Sequence, residues 1–277
     1  MMNTMRPRTA AAASLAVLMA LGPHASAETV GRVVPPDQRV AAQKIDHQRW
    51  TRLLSEYVDK QGLVDYRRWK KNSADQAALD RYLNQLSAAS FAAPTSKPVR
   101  LAFWVNAYNA VTIGGIINEY PTSSIRNHTA RFFGYNIWRD LKLPVDGKEY
   151  SLDDIEHGLL RPLGDPRIHF TVVCASMSCP KLRREAYRPE RIEEQFNAAA
   201  REFFSDPLKC RIDRSTQTVW ASPILQWYGE DFGKTEAERM RRIAVWTPES
   251  STPLLLSGEA QHKFLDYDWR LNDPARQ

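Results

Sequence analysis

Three features of the sequence predict an α+β fold. Helical periodicity crowds the first half, an uncharged run of 18 residues (Leu101 to Asn118) lies at the centre, and two hairpin signals follow. Helices early and hairpins late, without βαβ alternation, place a helical layer against antiparallel strands. The expected architecture is a set of N-terminal helices and one buried central helix packed on a mostly antiparallel, hairpin-built sheet. By analogy it is loosely papain-like or transglutaminase-like.

Taken in order, residues 28–44 with Pro35-Pro36 read as a flexible leader, and 45–277 as one globular domain. Ile45 to Lys60 carries Trp50, Leu53, Leu54 and Tyr57 on one helical face, and Gln61-Gly62 ends it. Asp65-Tyr66-Arg67 opens a second element, and Gln76 to Leu86 is a helix with Leu79, Tyr82, Leu83 and Leu86 inward. Leu101 to Asn118 contains three Asn and two Gly, which argues for a helix buried nearly all round rather than a membrane span. Asn106, Tyr108 and Asn109 make one polar stripe on it. A buried amide without partners costs about 1–3 kcal/mol, so these asparagines brace the core or line a cleft.

Asp146-Gly147 turns a hairpin within Leu141 to Tyr150. Ser151 caps a helix carrying Glu156 and His157 that ends before Pro162. Ile168 to Val173 is β-branched and aromatic, the composition of a buried strand. Arg191 to Phe204 is helical, Cys210 to Ile212 pairs with Thr218 to Ala221, and Pro223 to Tyr228 and Thr235 to Trp246 are helical. Lys263 to Leu271 alternates aromatics with charge and suits an edge strand.

Residues 1–27 have the form of a secretory signal: Arg6 and Arg8, then an apolar stretch from Ala10 to Leu21, then Ala25-Ser26-Ala27 for cleavage. Cleavage after Ala27 predicts a periplasmic or secreted protein without an integral membrane segment. The full chain carries 38 Lys plus Arg against 32 Asp plus Glu, and the basic residues are dispersed, which argues against nucleic acid as a partner. The sequence holds no phosphate loop and no dinucleotide fingerprint, so no cofactor is expected. The expected partner is an extracytoplasmic small molecule, glycan or peptide. Trp104, Trp138, Trp220, Trp227, Tyr228 and Trp269 fall near turns, where aromatics can line such a groove.

The strand Ile168 to Val173 runs into a small-residue turn holding Cys174 and Cys179, and Pro180 reads as the first residue of a helix. A helix start there would put Cys179 at the positive end of a dipole, where a thiolate is stabilised. Four motifs then come into view: Phe103-Trp-Val-Asn-Ala-Tyr-Asn-Ala110, Tyr150 to Gly158, Asp165 to Phe170 with Cys174 and Ser178-Cys-Pro180, and Ser222-Pro223 with Trp227-Tyr228. Over roughly residues 95–235 the chain resembles the family catalogued as domain of unknown function 547. The resemblance implies bacterial export and assigns no activity. Relatives carry Gly at the position of Ala175, and the exchange implies that positive φ is not required there.

These residues point to a thiol enzyme, a hydrolase or acyl transferase. Cys179 would be the nucleophile, His157 or His169 the base, and Asn106, Asn109 or Glu156 the orienting group. Tyr108, Cys174 and Ser178 would line the binding site. His157 also stands three and four residues from Asp154 and Asp153, within reach of a carboxylate partner. The competing reading is a non-catalytic binding or structural module, with Cys174–Cys179 or Cys179–Cys210 closed as a disulfide. A zinc reading of His157, His169, Cys174 and Cys179 fits no familiar ligand spacing, so no metal is expected.

Overall fold

The computed structural model describes residues 28–130 and 134–276. The signal expected over 1–27 lies outside the described residues. Helices α1 (Gln48–Tyr57), α2 (Tyr66–Lys71) and α3 (Ser73–Ser87) pack around α4 (Lys97–Glu119), the central rod. Every residue of α4 from Leu101 to Ile117 is buried. Asp65 caps α2 and Asn72 caps α3 through their side chains, which sets where each helix starts. Among the described residues, no helix is long and apolar enough to cross a membrane.

The class is α+β, but the β-structure differs from the single hairpin-built sheet expected. Three small sheets form instead. In the first, β1 (Glu28–Thr29) runs parallel to β4 (Leu141–Val145), which pairs antiparallel with β5 (Lys148–Ser151). Asp146 and Gly147 turn this hairpin at φ 52° and 81°, the double positive φ of a type I′ turn. In the second sheet, β2 (Val40–Ala41) pairs parallel with β3 (Ala89–Ser90). The third holds the hairpin β6 (Cys210–Asp213) and β7 (Thr218–Ala221), with β8 (Gln261–Phe264) added parallel to β7. The predicted edge strand is therefore real but ends at Phe264. The leader is also corrected: Val34 is buried, and β1 and β2 tie residues 28–44 to the domain.

The short helix α5 (Ile137–Asp140) precedes the first hairpin, and α6 (Ile192–Ser205) follows the cysteine turn. The chain then adds α7 (Ile224–Trp227), α8 (Gly229–Phe232), α9 (Glu236–Ala244) and α10 (Thr252–Ser257). Two apolar cores result. The larger surrounds α4; the smaller gathers Phe203, Phe204, Val219, Phe232, Ile243 and Trp246. The segment from Ile168 to Cys179 runs along their seam, with Ile168, Val172 and Cys179 in the first core and Phe170 in the second.

That segment is not a strand. Asp165 caps a 3-10 helix over Pro166–Phe170, and Pro166 at its first position is pre-set for a helical start. This local start signal overrides the β-branched composition. Nor does a helix open at Pro180: residues 180–188 are irregular, and helical structure resumes at Pro189. Cys179 therefore has no helix dipole behind it.

Candidate functional site

Asn109 replaces the missing strand partner. Its Nδ2 donates to the Thr171 carbonyl at 2.9 Å and its Oδ1 accepts from Val173 N at 2.9 Å. Asn106 holds Tyr187 the same way, at 2.8 and 2.9 Å. Both amides are buried and fully engaged with backbone. Asn109 braces the segment leading to Cys174 and Asn106 the loop at Tyr187, and neither, though expected as an orienting group, lines the cleft onto which the sulfurs open.

Beyond Val173 the chain turns sharply. Ala175 has φ 58°, so positive φ is adopted there after all, by a residue with a Cβ. The turn brings the two sulfurs to the same hydroxyls. Cys179 Sγ accepts from Cys174 N at 3.1 Å and Ser176 Oγ at 3.2 Å, and meets Tyr267 Oη at 3.3 Å. Cys174 Sγ lies 3.6 Å from both Ser176 Oγ and Tyr267 Oη. Burial opposes ionisation of Cys179, yet the hydrogen bonds from Cys174, Ser176 and Tyr267 hold its thiol below the ordinary range. The bond to Cys179, with burial, pushes Cys174 up, so Cys179 is the sulfur that ionises first. Lys209, buried behind the turn, donates from Nζ to the Met177 carbonyl.

Cys174, Cys179 and Cys210 are free thiols in the structure, so neither disulfide pairing is present. Cys210 stands apart in the second core, where burial pushes its thiol up to about 12. The tail after β8 straps the cysteine turn: Ser178 N donates to the Asp268 carbonyl, Met177 N to the Arg270 carbonyl, and Asn272 N to the Ala175 carbonyl. Ser178 Oγ accepts from Asp268 N at 2.8 Å, which makes Ser178 a tether for the strap.

The sulfurs open onto a cleft of about 210 Å³ shared with Tyr108, Glu156, His157 and His169. Trp138, Trp227, Tyr228, Tyr267 and Trp269 form its aromatic wall. Trp227 stacks on Trp269 with centroids 5.8 Å apart, and Tyr267 packs against both at 4.8 and 4.5 Å. A larger depression of about 690 Å³ on the other face of the turn also reaches Cys179, but no imidazole lines it. Of the two, the first cleft brings sulfur and imidazole together. Trp104 and Trp220 lie elsewhere: Trp104 packs against Phe103, and Trp220 lies beneath Arg211 and Lys263.

His169 is fixed from two sides. Its Nε2 lies 2.7 Å from Asp231 Oδ2, and its ring stacks on Tyr228 with centroids 4.0 Å apart. Arg161 forks onto the same carboxylate at 2.7 and 2.9 Å. Burial opposes the charge on Asp231, but His169 and Arg161 together hold its carboxyl well below the usual range. His157 does not pair with Asp153 or Asp154. Its Nδ1 sits 3.1 Å from Arg161 Nη1, while Asp153 meets Arg139 and Asp154 closes the cap at Ser151. The cause is a π-helical turn over Asp154–Leu160, whose wider winding departs from α-helical neighbour spacing. Among the described residues, no His, Cys, Asp or Glu group of three or more converges as a metal site requires.

Sequence reasoning singled out neither Asp231 nor Tyr267, which lie 62 and 88 residues from their partners His169 and Cys179. Nothing local marks them beyond the neighbouring aromatic pair Trp227-Tyr228 and the alternation of the tail. Residues 93–204 match the family model described as a protein of unknown function, DUF547, and a domain of that family occupies this stretch of the chain. The match takes in α4, the cysteine turn and α6, and ends before Asp231 and Tyr267. No curated protein and no solved structure matches the chain.

Proposed function

We propose that this protein is a thiol-dependent acyl transferase or hydrolase acting on an extracytoplasmic substrate. The observation that carries the reading is the meeting of a thiol pair and a carboxylate-oriented imidazole in one aromatic-walled cleft. Both cysteines line this cleft; Cys174 is the less buried residue, whereas Cys179 is 4 % exposed and held by three hydrogen-bond partners. The nucleophile in this reading is Cys174, which loses its proton as its sulfur bonds to the substrate carbonyl carbon. That revises the sequence-based choice of Cys179.

Asp231 acts as positioning residue by holding the tautomer of His169. His169 then serves as acid to the leaving group and base to the incoming nucleophile across the cleft, without hydrogen bonding to sulfur in the resting state. Acylation joins the substrate carbonyl carbon to the Cys174 sulfur and expels the leaving group with the thiol proton. Water or a second nucleophile then breaks the thioester and restores the thiol.

The test is single-turnover mass spectrometry with an activated thioester. A mass increase of one acyl group on the peptide containing Cys174, absent in Cys174→Ser, is expected. Turnover by Cys174→Ser at the wild-type rate overturns the reading. The exposure of Trp227, at 48 %, supports a second reading, a non-catalytic module that binds a glycan or peptide on its ring wall. Saturable glycan or peptide binding with no acyl-protein in the wild type would favour it.

A further inference from the structure

Two acceptors converge in the cleft, where the Tyr228 hydroxyl reaches Glu156 and leaves the imidazole nitrogen unmet. Asp231 can only accept from His169 Nε2, so a ring proton lies on Nε2, and in the neutral ring Nδ1 presents a lone pair. His169 is 2 % exposed, and Nδ1 is buried with no hydrogen-bond partner among the described residues. It lies 4.0 Å from Oε1 of Glu156, which is 8 % exposed and pairs with no lysine or arginine among the described residues. Burying a carboxylate beside an unsatisfied imidazole nitrogen is costly unless a bound group meets both.

The rest of the cleft narrows the chemistry of that group. Its lining includes no Lys or Arg, and its ionisable groups besides the sulfurs, tyrosines and histidines are Asp153 and Glu156. Asp153 is already engaged by Arg139 at 3.3 Å, and Arg161 is held on Asp231. The same cleft is lined by Tyr228, Trp227 and Trp269, aromatic rings of the kind that attract a cation through their quadrupoles. A group that gives N–H bonds to two acceptors, carries positive charge and fits between rings is a primary ammonium.

We infer that the cleft binds the primary ammonium of an amine substrate between Glu156 and His169 Nδ1, and that this amine accepts the acyl group. The accepting role rests on the thiol reading above; the binding site does not. In the transfer, the ammonium loses one proton to Nδ1 of His169. Its nitrogen then forms the bond to the acyl carbon as the carbon–sulfur bond breaks, and its second proton goes to the departing Cys174 sulfur. The products are an amide and the free thiol.

The experiment titrates full-length Cys174→Ser with n-butylammonium, tetramethylammonium and 1-butanol, following tryptophan fluorescence. n-Butylammonium should saturate at least tenfold more tightly than the other two, since one lacks N–H donors and the other lacks charge. Adding Glu156→Gln should weaken it at least tenfold. Trp227→Leu, at a half-exposed position, should weaken it several-fold and covers the case in which Glu156→Gln fails to fold. Equal affinity for 1-butanol, or unchanged affinity in both added variants, overturns the site. Because the titration contains no acyl donor, binding here is read separately from thioester formation. Amine binding without any wild-type acyl-protein removes the thiol reading and the accepting role but leaves the site.

Discussion

Cys179 accepts three hydrogen bonds in a place nearly closed to water, and those donors decide which of the paired sulfurs ionises. Thiolate absorbance near 240 nm should therefore rise at a pH below the ~8.5 of a free cysteine. Cys179→Ser should abolish that step and Tyr267→Phe should move it upward; an unchanged titration in Cys179→Ser would refute the assignment. The sign for stability follows: a thiol depressed in the fold stabilises it fully above its unfolded pKa, and the contribution is lost as pH falls through the folded value. Asp231 is a second test at this scale. Asp231→Asn leaves His169 and Arg161 without their carboxylate, and a loss of about 1–3 kcal/mol in denaturant unfolding is expected. Cys174, Cys179, His169 and Glu156 were legible as candidates because reactive side chains are recognisable by type. Asp231 and Tyr267 were not, because one acidic or phenolic residue among many gains meaning only from what it touches.

At the scale of elements, α4 decides where the site can be. Gly115 lets the helix approach β4: a Cβ there would stand 2.6 Å from Leu141 Cδ2 and 2.9 Å from Ile137 Cδ1, both fully buried. Gly114 faces only ordinary contact, at 3.6 Å from Leu83 Cδ1. Gly115→Ala should therefore destabilise by about 1 kcal/mol or more through overpacking. Gly114→Ala should be neutral or stabilising by up to ~1 kcal/mol, because Ala is the better helix former. Thermal denaturation of the pair checks the contrast, and equal shifts would refute it. Asn109→Ala strands two buried backbone groups at about 1–3 kcal/mol each and frees the loop before Cys174. Periodicity made this helix visible from sequence, since an uncharged run with asparagines at i and i+3 is the pattern of a buried rod with one polar stripe. It could not show that the amides bond to loops at 171–173 and 187. Composition also misread Ile168 to Val173, where the Asp165-Pro166 cap outweighed β-propensity.

For the whole molecule, the seam between two cores and the strap that crosses it carry the consequence. Removing residues 266–277 takes away Tyr267 and the backbone bonds to Ser178, Met177 and Ala175. The shortened protein should alkylate at Cys174 and Cys179 at least tenfold faster with iodoacetamide, and an unchanged rate would show that the strap does not guard the thiols. Global stability has its own pH signature. Burial pushes the His47 imidazole down to about 4, against the upward pull of Asp46 and Glu190, and its Nδ1 lies 2.7 Å from Tyr82 Oη. The unfolded chain takes up this proton from about pH 6.5 downward and the fold resists until about 4, so stability should fall across that window. His47→Gln should flatten the slope in urea midpoints measured between those values.

What the sequence determined alone is local: helix faces, the element start at Asp65, the cap at Ser151, the Asp146-Gly147 turn, and the identity of the reactive groups. Each of these rests on interactions within a few residues, where spacing and side-chain type are sufficient. Tertiary structure decided that both sulfurs share a cleft with the imidazoles, which carboxylate bonds His169, and that Glu156 lies 4.0 Å from the same ring. Those outcomes depend on contacts made across sixty residues or more, or on the winding of a π-turn. Their free energy comes from desolvation and shared partners that no local pattern encodes.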